Sequence, residues 1–304
     1  MLYKNLGKTK EKLSAIGFGT WQLSADVEND IAAMHAAFDK GVNFVDTAEY
    51  YGTEPIVGKA IEGKDIFVAT KVWPTHFKYD DLKKACNESL KKLGIKTIDL
   101  YQLHWPNKKV PIKETMHAME DLVNEGKIRY IGVSNFSVSE IEEAQSVMKG
   151  NEIMSNQVEY SILVRDIEKD ILRYCQKEKL TVIAYSPLSR GHLFDDKHKN
   201  LVELLGSIGN KYKKSAAQTA LNWLISKDGV VAIPKANSTL HAVENADSGN
   251  FKLDNADMNA INDFLSGEKN KKQRSMTNAF KPVLTRIPSI GNLGKALEHK
   301  RYKK

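Results

Sequence analysis

The chain has 304 residues, of which 41% are hydrophobic, and this length and composition suit one large folded domain. The formal net charge of +7 is unevenly distributed, because residues 269–304 hold eleven Lys or Arg and one Glu and so carry +10, which leaves −3 on residues 1–268. No apolar run reaches about 18 residues and the first residues lack the apolar stretch of a secretory signal, so we expect a cytoplasmic protein that does not enter a membrane.

Residues 1–14 come first and contain Gly7, which indicates a hairpin that could cover one end of a barrel. From residue 15 onward, short apolar runs rich in β-forming residues alternate with segments of helical periodicity, as repeated βα units do. The runs predict eight strands, at residues 15–20, 43–47, 66–72, 98–104, 130–134, 154–159, 181–186 and 230–234.

The clearest predicted helix covers Tyr79–Leu93, where apolar residues repeat every three or four positions and form a stripe that should face the sheet. A helical stretch at 200–211 is additional to the eight repeats. Cys86 and Cys175 each lie in a helical pattern rather than in a C-x-x-C pair, so we expect neither a disulfide framework nor a zinc site.

Eight repeats without a break in composition favour an α/β fold of the (β/α)8 TIM barrel type, with an N-terminal β-hairpin plug and extra helices. An open doubly wound sheet that binds a dinucleotide usually carries the pattern G-x-G-x-x-G, which the letters GFGTWQ at residues 17–22 do not fit. We therefore predict a barrel over residues 1–268 and a basic C-terminal tail over residues 269–304.

Polar side chains occur where three of the predicted strands end. Asp46 is near the end of the second strand, Lys71 is near the end of the third, and His104 ends the fourth. Tyr51 follows Asp46 by five residues, which is far enough for the loop to turn inward. Because barrel enzymes carry their active residues at the carboxyl ends of the strands, we expect these four side chains to meet in an active site without a metal.

Each of these residues has a structural explanation when taken alone, since a buried His is usually a satisfied core residue and a Tyr can lie on the surface. Their joint occurrence favours a functional site, and the set resembles the catalytic tetrad of the aldo-keto reductase superfamily, over about residues 1–265. Five further stretches carry this resemblance: GFGTW at 17–21, GVSNF at 132–136, NQVEY at 156–160, AYSPL at 184–188 and IPK at 233–235. The resemblance implies reduction of aldehydes or ketones to alcohols by hydride transfer from NAD(P)H.

The chemistry of carbonyl reduction explains why these residue types are needed together. The carbonyl oxygen must receive a proton, and a phenol with an ordinary pKa of about 10 is a weak acid at neutral pH. We expect the cation of Lys71 to favour the Tyr51 phenolate, and Asp46 to hold that ammonium in place. His104 should donate to the carbonyl oxygen and orient the substrate. Three Trp residues are expected to wall the pocket: Trp21, Trp73 and Trp105.

The resemblance also implies where a nicotinamide cofactor binds. The nicotinamide ring should stack on Tyr185, and its carboxamide should contact Ser134, Asn135 and Gln157. Backbone amides and a cation suit the charge of the pyrophosphate, which is expected along Ser186, Leu188 and Arg190. Further contacts are expected from Gly19, Thr20, Trp21 and Asp46.

The segment after the eighth strand bears on the choice between NADPH and NADH. Family members that prefer NADPH typically have an Arg six positions after a Lys here, and this chain has Lys235 and His241. NADPH is the predicted cofactor and NADH remains possible, because the fixed guanidinium is missing. If His241 touches the 2′-phosphate, the preference for NADPH should increase in acid as the imidazole becomes charged. The other residues expected near the adenosine are Ala236, Asn237, Ser238, Glu244 and Asn245.

The basic tail has two equally supported interpretations, a lid over the substrate pocket or a tether. Its charge can attract acidic or phosphorylated substrates, whereas nucleic-acid binding is disfavoured because no motif for it accompanies the charge. The sequence leaves open which small-molecule carbonyl is the substrate and what the oligomeric state is.

Three other functions are alternatives for the same barrel. A redox-sensing subunit of a larger assembly would bind the cofactor and turn over slowly. A Schiff-base aldolase would use Lys71 or Lys235 as the nucleophile, and a metal-dependent sugar isomerase is less well supported because the strand ends lack converging carboxylates.

Overall fold

The computed structural model describes residues 1–23 and 26–267, and residues 1–254 form one compact unit. Its centre is a sheet of eight parallel strands that are hydrogen-bonded in chain order, next to a separate two-stranded hairpin. The strands of the hairpin are β1 (Tyr3–Asn5) and β2 (Lys12–Ser14). Those of the sheet are β3 (Phe18–Gly19), β4 (Phe44–Asp46), β5 (Phe67–Val72), β6 (Ile98–Leu103), β7 (Ile128–Ser134), β8 (Ile153–Glu159), β9 (Thr181–Tyr185) and β10 (Val230–Ala232).

The sheet closes into a barrel through the segments that flank its first and last strands. Ala232 N donates to Ala15 O and Gly17 N donates to Ala232 O, both at 2.8 Å. A Cβ on Gly19 would lie 2.6 Å from the carbonyl oxygen of Ile233, so a larger residue could not approach the last strand this closely. The predicted (β/α)8 barrel is therefore confirmed, although its first and last strands are shorter than the sequence pattern predicts.

The hairpin of β1 and β2 supplies part of the barrel core, as predicted for a plug. Leu6 and Leu13 from this segment are fully buried in one cluster with Phe44, Leu100 and Val231 of the barrel strands. Burial of apolar area of this kind stabilises a fold by about 25 cal/mol per Å². The cluster fills the barrel interior, which leaves the carboxyl ends of the strands as the place for a site.

Helices follow the strands and cover the barrel. In the first unit they are α1 (Val27–Asp39), α2 (Glu54–Ile61), α3 (Tyr79–Leu93), α4 (Ile112–Asn124), α5 (Val138–Ser146), α6 (Ile171–Glu178), α7 (Lys199–Lys211), α8 (Ala216–Ile225) and α9 (Thr239–Asp247). The helix α10 (Asn255–Ser266) belongs to a second compact unit.

The basic tail predicted at 269–304 lies outside the described residues, and so does its interpretation as a lid. Within the described ranges, no helix combines the length and the apolar character needed to cross a membrane. Cys86 and Cys175 are free and buried, and burial raises the pKa of each thiol to about 12. Both thiols are therefore protonated near neutral pH, so they are poor nucleophiles.

Candidate active site

The four predicted catalytic residues lie at neighbouring strand ends. Asp46 is the last residue of β4, Lys71 is the second-last residue of β5 and His104 directly follows β6. A 3₁₀ turn over Glu49–Tyr51 follows β4 and ends at Tyr51. Because parallel strands end at the same edge of the barrel, the fold brings these side chains together.

Their polar atoms form one connected chain. Lys71 Nζ donates to Asp46 Oδ2 at 2.6 Å and to the carbonyl oxygen of Thr47 at 2.7 Å. The same ammonium lies 3.3 Å from Tyr51 Oη, which in turn lies 3.4 Å from His104 Nε2. One phenol thus contacts both a cation and an imidazole, which are the two groups expected to assist proton transfer.

Two amide side chains hold the other oxygen of Asp46. Gln157 Nε2 donates to Asp46 Oδ1 at 2.7 Å, and Gln102 Nε2 lies 3.3 Å from the same oxygen. The carboxylate is therefore fixed from both sides. The sequence interpretation did not include Gln102, and its only signal was a polar residue in the mostly apolar strand β6, which also contains Asp99. The expectation that Gln157 binds the carboxamide of the cofactor stays a prediction.

The pKa of Tyr51 is raised above its ordinary value. Burial is the largest cause, and the cation of Lys71 opposes it without overcoming it. The contribution of Lys71 thus has the predicted sign, but the net direction reflects the loss of solvent around the phenol. Tyr51 therefore keeps its proton near neutral pH.

His104 is neutral in this environment. Burial and then the nearby Lys71 cation lower the pKa of its imidazole well below 6.5. Within the described part of the chain its Nδ1 is buried without a hydrogen-bond partner. A buried ring nitrogen without a partner is tolerated better as an acceptor than as a donor, which favours the tautomer that carries its proton on Nε2. That N–H is directed at Tyr51 Oη.

Aromatic rings surround this group of polar atoms. The ring centroids of Trp21 and Tyr51 are 4.8 Å apart, and Tyr50 stacks on Trp73 at 4.1 Å with an angle of 13° between the rings. Trp21 and Trp105 are each 41% exposed, so a small molecule can reach apolar surface beside the polar site.

The residues predicted to hold the nicotinamide are also close together. Tyr185 Oη donates to Asn135 Oδ1 at 3.0 Å, and Asn135 Nδ2 donates to Ser134 Oγ at 3.0 Å and to His104 O at 3.2 Å. Asn135 has a φ of +63°, a conformation that Asn adopts more readily than most residues. Ser134 Oγ donates to the carbonyl oxygen of Gln157 at 2.9 Å. This network fixes the Tyr185 ring beside the catalytic group.

The loop after β9 has unusual backbone geometry where the pyrophosphate is expected. Ser186, Ser189 and Arg190 have φ values of +48°, +51° and +56°, and Leu188 lies within this stretch. Successive residues that include left-handed conformations can direct their backbone N–H groups toward an anion. Arg190 is exposed and its Nε lies 3.4 Å from Ser186 Oγ, so its guanidinium can still pair with a phosphate.

The segment after β10 leads into the N-terminus of α9, which favours an anion. Lys235 Nζ donates to the carbonyl oxygen of Gln22 at 3.2 Å. Ser238 caps α9 by accepting from the backbone N–H of His241, whose side chain is exposed. Asn245 Nδ2 lies 3.5 Å from the carbonyl oxygen of Lys235. The remaining predicted contacts are one buried residue, Ala236, and the exposed Asn237 and Glu244.

Thr20, one of the residues predicted to contact the cofactor, is hydrogen-bonded to the backbone of Asp46. Its Oγ1 donates to the carbonyl oxygen of Asp46 at 2.9 Å and lies 3.1 Å from Thr53 Oγ1. Thr53 also contacts Thr47 Oγ1 at 2.9 Å, so three hydroxyl groups link the loops after β3 and β4. Sequence reasoning missed Thr53, for which no local pattern gave a signal.

The described residues contain no group of three or more His, Cys, Asp or Glu side chains that could hold a metal ion. The polar atoms of the site are instead an ammonium, a carboxylate, a phenol and an imidazole. This set suits transfer of a proton to an oxygen atom.

Comparison with known proteins identifies relatives over most of the chain. The model of the Aldo/keto reductase family matches residues 15–266. Methylglyoxal reductase YeaE of Escherichia coli (strain K12) is 37% identical over 273 residues, which cover 87% of this chain and 95% of that protein. Glyoxal reductase of Bacillus subtilis (strain 168) is 37% identical over 244 residues, covering 78% of this chain and 84% of the relative.

Solved structures agree with these relatives. The thermostable aldo-keto reductase Tm1743, crystallised with the inhibitor epalrestat, has a TM-score of 0.80 and 41% identity, and the match covers 86% of this chain and 99% of that one. An aldo/keto reductase from Klebsiella pneumoniae in complex with NADP and acetate has a TM-score of 0.78 and 36% identity, with coverage of 83% and 92%. The chain therefore belongs to the aldo/keto reductase family.

Proposed function

We propose that this chain reduces aldehyde or ketone groups of small molecules to alcohols with NADPH, and that Tyr51 is the proton donor. The observation that carries the proposal is the connected group of Asp46, Lys71, Tyr51 and His104 at the barrel mouth. Two relatives are named for the reduction of glyoxal and methylglyoxal, so we include 2-oxoaldehydes among the expected substrates.

The residues present fit a nicotinamide dinucleotide. Tyr185 offers an aromatic face whose hydroxyl is tied to Asn135, and Arg190 and Lys235 offer cations where phosphates are expected. Similar chains have been crystallised with NADP or NADPH. NADH is the alternative cofactor to test, because His241 stands where an Arg would bind the 2′-phosphate. When bound, the cofactor supplies the hydride that the carbonyl carbon receives.

The side chains of this protein supply the proton and stabilise the charge. Tyr51 donates its phenolic proton to the carbonyl oxygen, and the Lys71 ammonium at 3.3 Å stabilises the phenolate that remains. Asp46 fixes that ammonium from the other side. His104, neutral and protonated on Nε2, donates a hydrogen bond to the same carbonyl oxygen and orients the substrate.

The aldolase alternative has less support at Lys71, whereas burial lowers the pKa of the other candidate nucleophile, Lys235, with Asp30 opposing the shift. A Schiff base requires a neutral amine, and although burial opposes the charge of Lys71, the contacts with Asp46 and Tyr51 raise its pKa above the ordinary value.

A cytoplasmic location is also part of the proposal, and the two free cysteines are consistent with it.

Cofactor titration and kinetics of two adjacent tyrosine variants test this function. NADPH and NADH binding is followed by fluorescence, and turnover is followed with glyoxal, methylglyoxal and larger aldehydes. Tyr51→Phe should keep NADPH binding and lose at least about a hundredfold in kcat, since general acid catalysis contributes about 10²–10⁴-fold. Tyr50→Phe is the matched control and should retain most of the activity.

Each outcome has a different meaning. Full activity in Tyr51→Phe would exclude Tyr51 as the donor. Tight NADPH binding without turnover of any carbonyl by wild type would favour the redox-sensing subunit. Failure to bind either nucleotide would refute the proposed function.

A further inference from the structure

Glu49 begins the 3₁₀ turn that ends at Tyr51, and its carboxylate reaches across to the connection between β5 and α3. Glu49 Oε1 accepts a hydrogen bond from the backbone N–H of Trp73, and it lies 3.0 Å from His76 Nδ1. The Glu49 side chain is only 11% exposed. Acidic side chains usually lie on the surface because water solvates their charge, and this does not explain a carboxylate that is mostly buried and joins two loops of the candidate site.

The residue that Glu49 holds is part of the pocket wall. The ring of Trp73 stacks on Tyr50 at 4.1 Å and meets the ring of His104 edge-on, with centroids 5.0 Å apart and planes at 90°. Movement of the Trp73 backbone would therefore displace the surface against which His104 packs. Glu49 is two residues from Tyr51, so the same movement would also release the turn that presents the phenol.

A second carboxylate anchors the other side of this turn. Glu54 Oε1 accepts from Thr70 Oγ1 at 2.7 Å, and Thr70 precedes Lys71 in β5. The Tyr51 turn is thus attached to β5 and the loop after it at two points, which flank the contact between Tyr51 and Lys71. Of the two carboxylates, Glu49 is the one bonded to the backbone of the pocket wall.

We propose that Glu49 is a positioning residue for carbonyl reduction, which sets the spacing between the Tyr51 hydroxyl and the wall formed by Trp73. The proposal rests on the reductase function proposed above. Misplacing a reacting group by about 1 Å can reduce a rate about a hundredfold, so a residue that does not touch the substrate can still govern kcat.

The Glu49 carboxylate faces the His76 imidazole as well as the backbone of Trp73. Its hydrogen bond with His76 is the largest cause of a raised pKa of that imidazole, and burial of the ring opposes it. The other charged groups facing His76 are Asp81, which also raises this pKa, and Lys84, which lowers it. Glu49 Oε1 thus contacts two groups of the same connection, the backbone N–H of Trp73 and the imidazole of His76, which suits a fixed anchor.

Four variants separate positioning from general stability. Glu49→Ala removes the anchor, Glu49→Gln keeps an oxygen that can accept from Trp73, and Glu49→Asp keeps the charge but is one methylene shorter. Glu114→Ala is the matched control, because Glu114 Oε1 also accepts from a backbone N–H. That N–H belongs to Tyr79, the first residue of α3, where the connection from β5 ends. Rates are measured with a small and an aromatic aldehyde and are divided by the concentration of NADPH-binding sites.

For Glu49→Ala we expect a fall in kcat of tenfold or more, a higher KM for the aromatic aldehyde and an unchanged Kd for NADPH. Glu49→Gln should recover most of the loss and Glu49→Asp should not, whereas Glu114→Ala should stay within about twofold of wild type. If Glu49→Ala does not fold, the comparison of Gln with Asp carries the test.

Wild-type kcat and KM in Glu49→Ala, or equal losses in the Gln and Asp variants, would overturn the positioning role while leaving the reductase function intact. A wild type that reduces no carbonyl would remove both proposals.

Discussion

The buried pair of Lys71 and Asp46 allows stability and catalysis to be separated by one double-mutant cycle. Lys71 Nζ lies 2.6 Å from Asp46 Oδ2, and the two side chains are 0% and 2% exposed. At that distance two unit charges attract by about 6 kcal/mol for an effective dielectric constant of about 20. Removing each ion from water costs several kcal/mol, so the net stabilisation by the pair is small but the loss of one partner is costly.

Lys71→Met leaves the Asp46 carboxylate buried with the amides of Gln102 and Gln157 as its remaining side-chain donors. We expect the free energy of unfolding to fall by about 3–5 kcal/mol. We also expect kcat to fall about 10²–10³-fold, as when one stabilising donor is removed from an active site. The double variant Lys71→Met/Asp46→Asn, which has neither charge, should recover most of the stability and none of the activity.

The cycle is measured by urea unfolding of wild type, both single variants and the double variant near neutral pH, with turnover measured on the same preparations. Lys83→Met is the control, because its ion pair with Glu125 is partly exposed and should matter far less. A loss below about 1 kcal/mol for Lys71→Met, or a double variant no more stable than Lys71→Met, would refute the reasoning.

Three further perturbations test the electrostatics around the site. Burial raises the pKa of Glu54, so the free energy of unfolding of wild type falls as pH rises from the ordinary value of 4.5 through the raised value. The urea midpoint of Glu54→Gln should therefore rise relative to that of wild type as pH rises over this range. A difference that grows toward acid would contradict this. The pKa of His76 is raised, mainly by Glu49, so the stability from this pair is complete below the ordinary value of 6.5 and is lost as pH rises through the raised value. The difference in urea midpoint between His76→Ala and wild type should shrink over that range, and a constant difference would exclude the pair as its cause. His241→Arg should increase the preference for NADPH over NADH about tenfold in competition titrations, and equal gains for both nucleotides would show that residue 241 does not contact the 2′-phosphate.

Local signals explain which elements the sequence predicted well. The helix predicted over Tyr79–Leu93 has those bounds in the structure, because its apolar stripe and the left-handed Gly94 at its end are both encoded within a few residues. The strands predicted at 15–20 and 230–234 are shorter in the structure, at Phe18–Gly19 and Val230–Ala232. Their pairing closes the barrel across more than 200 residues, and nothing local determines how far it extends.

At the candidate site, too, the sequence predicted the main residues but not all of the contacts between them. Strand ends and the family resemblance predicted Asp46, Tyr51, Lys71 and His104, which the structure brings together. They were not sufficient to find Gln102, whose amide meets Asp46 from a strand 56 residues away in sequence. Such contacts depend on which face of each strand points inward, and one residue of register reverses that face.

The net direction of the Tyr51 pKa also required the structure, because burial and Lys71 act in opposite directions on it. Burial prevails, so the phenol keeps its proton near neutral pH, as the proposed role of Tyr51 as proton donor requires. In the proposed reaction, the Lys71 cation interacts more strongly with the Tyr51 phenolate that forms than with the neutral phenol before it. An interaction that strengthens in the transition state raises kcat and leaves substrate binding almost unchanged. Loss of the Lys71 charge should therefore reduce kcat far more than it changes KM.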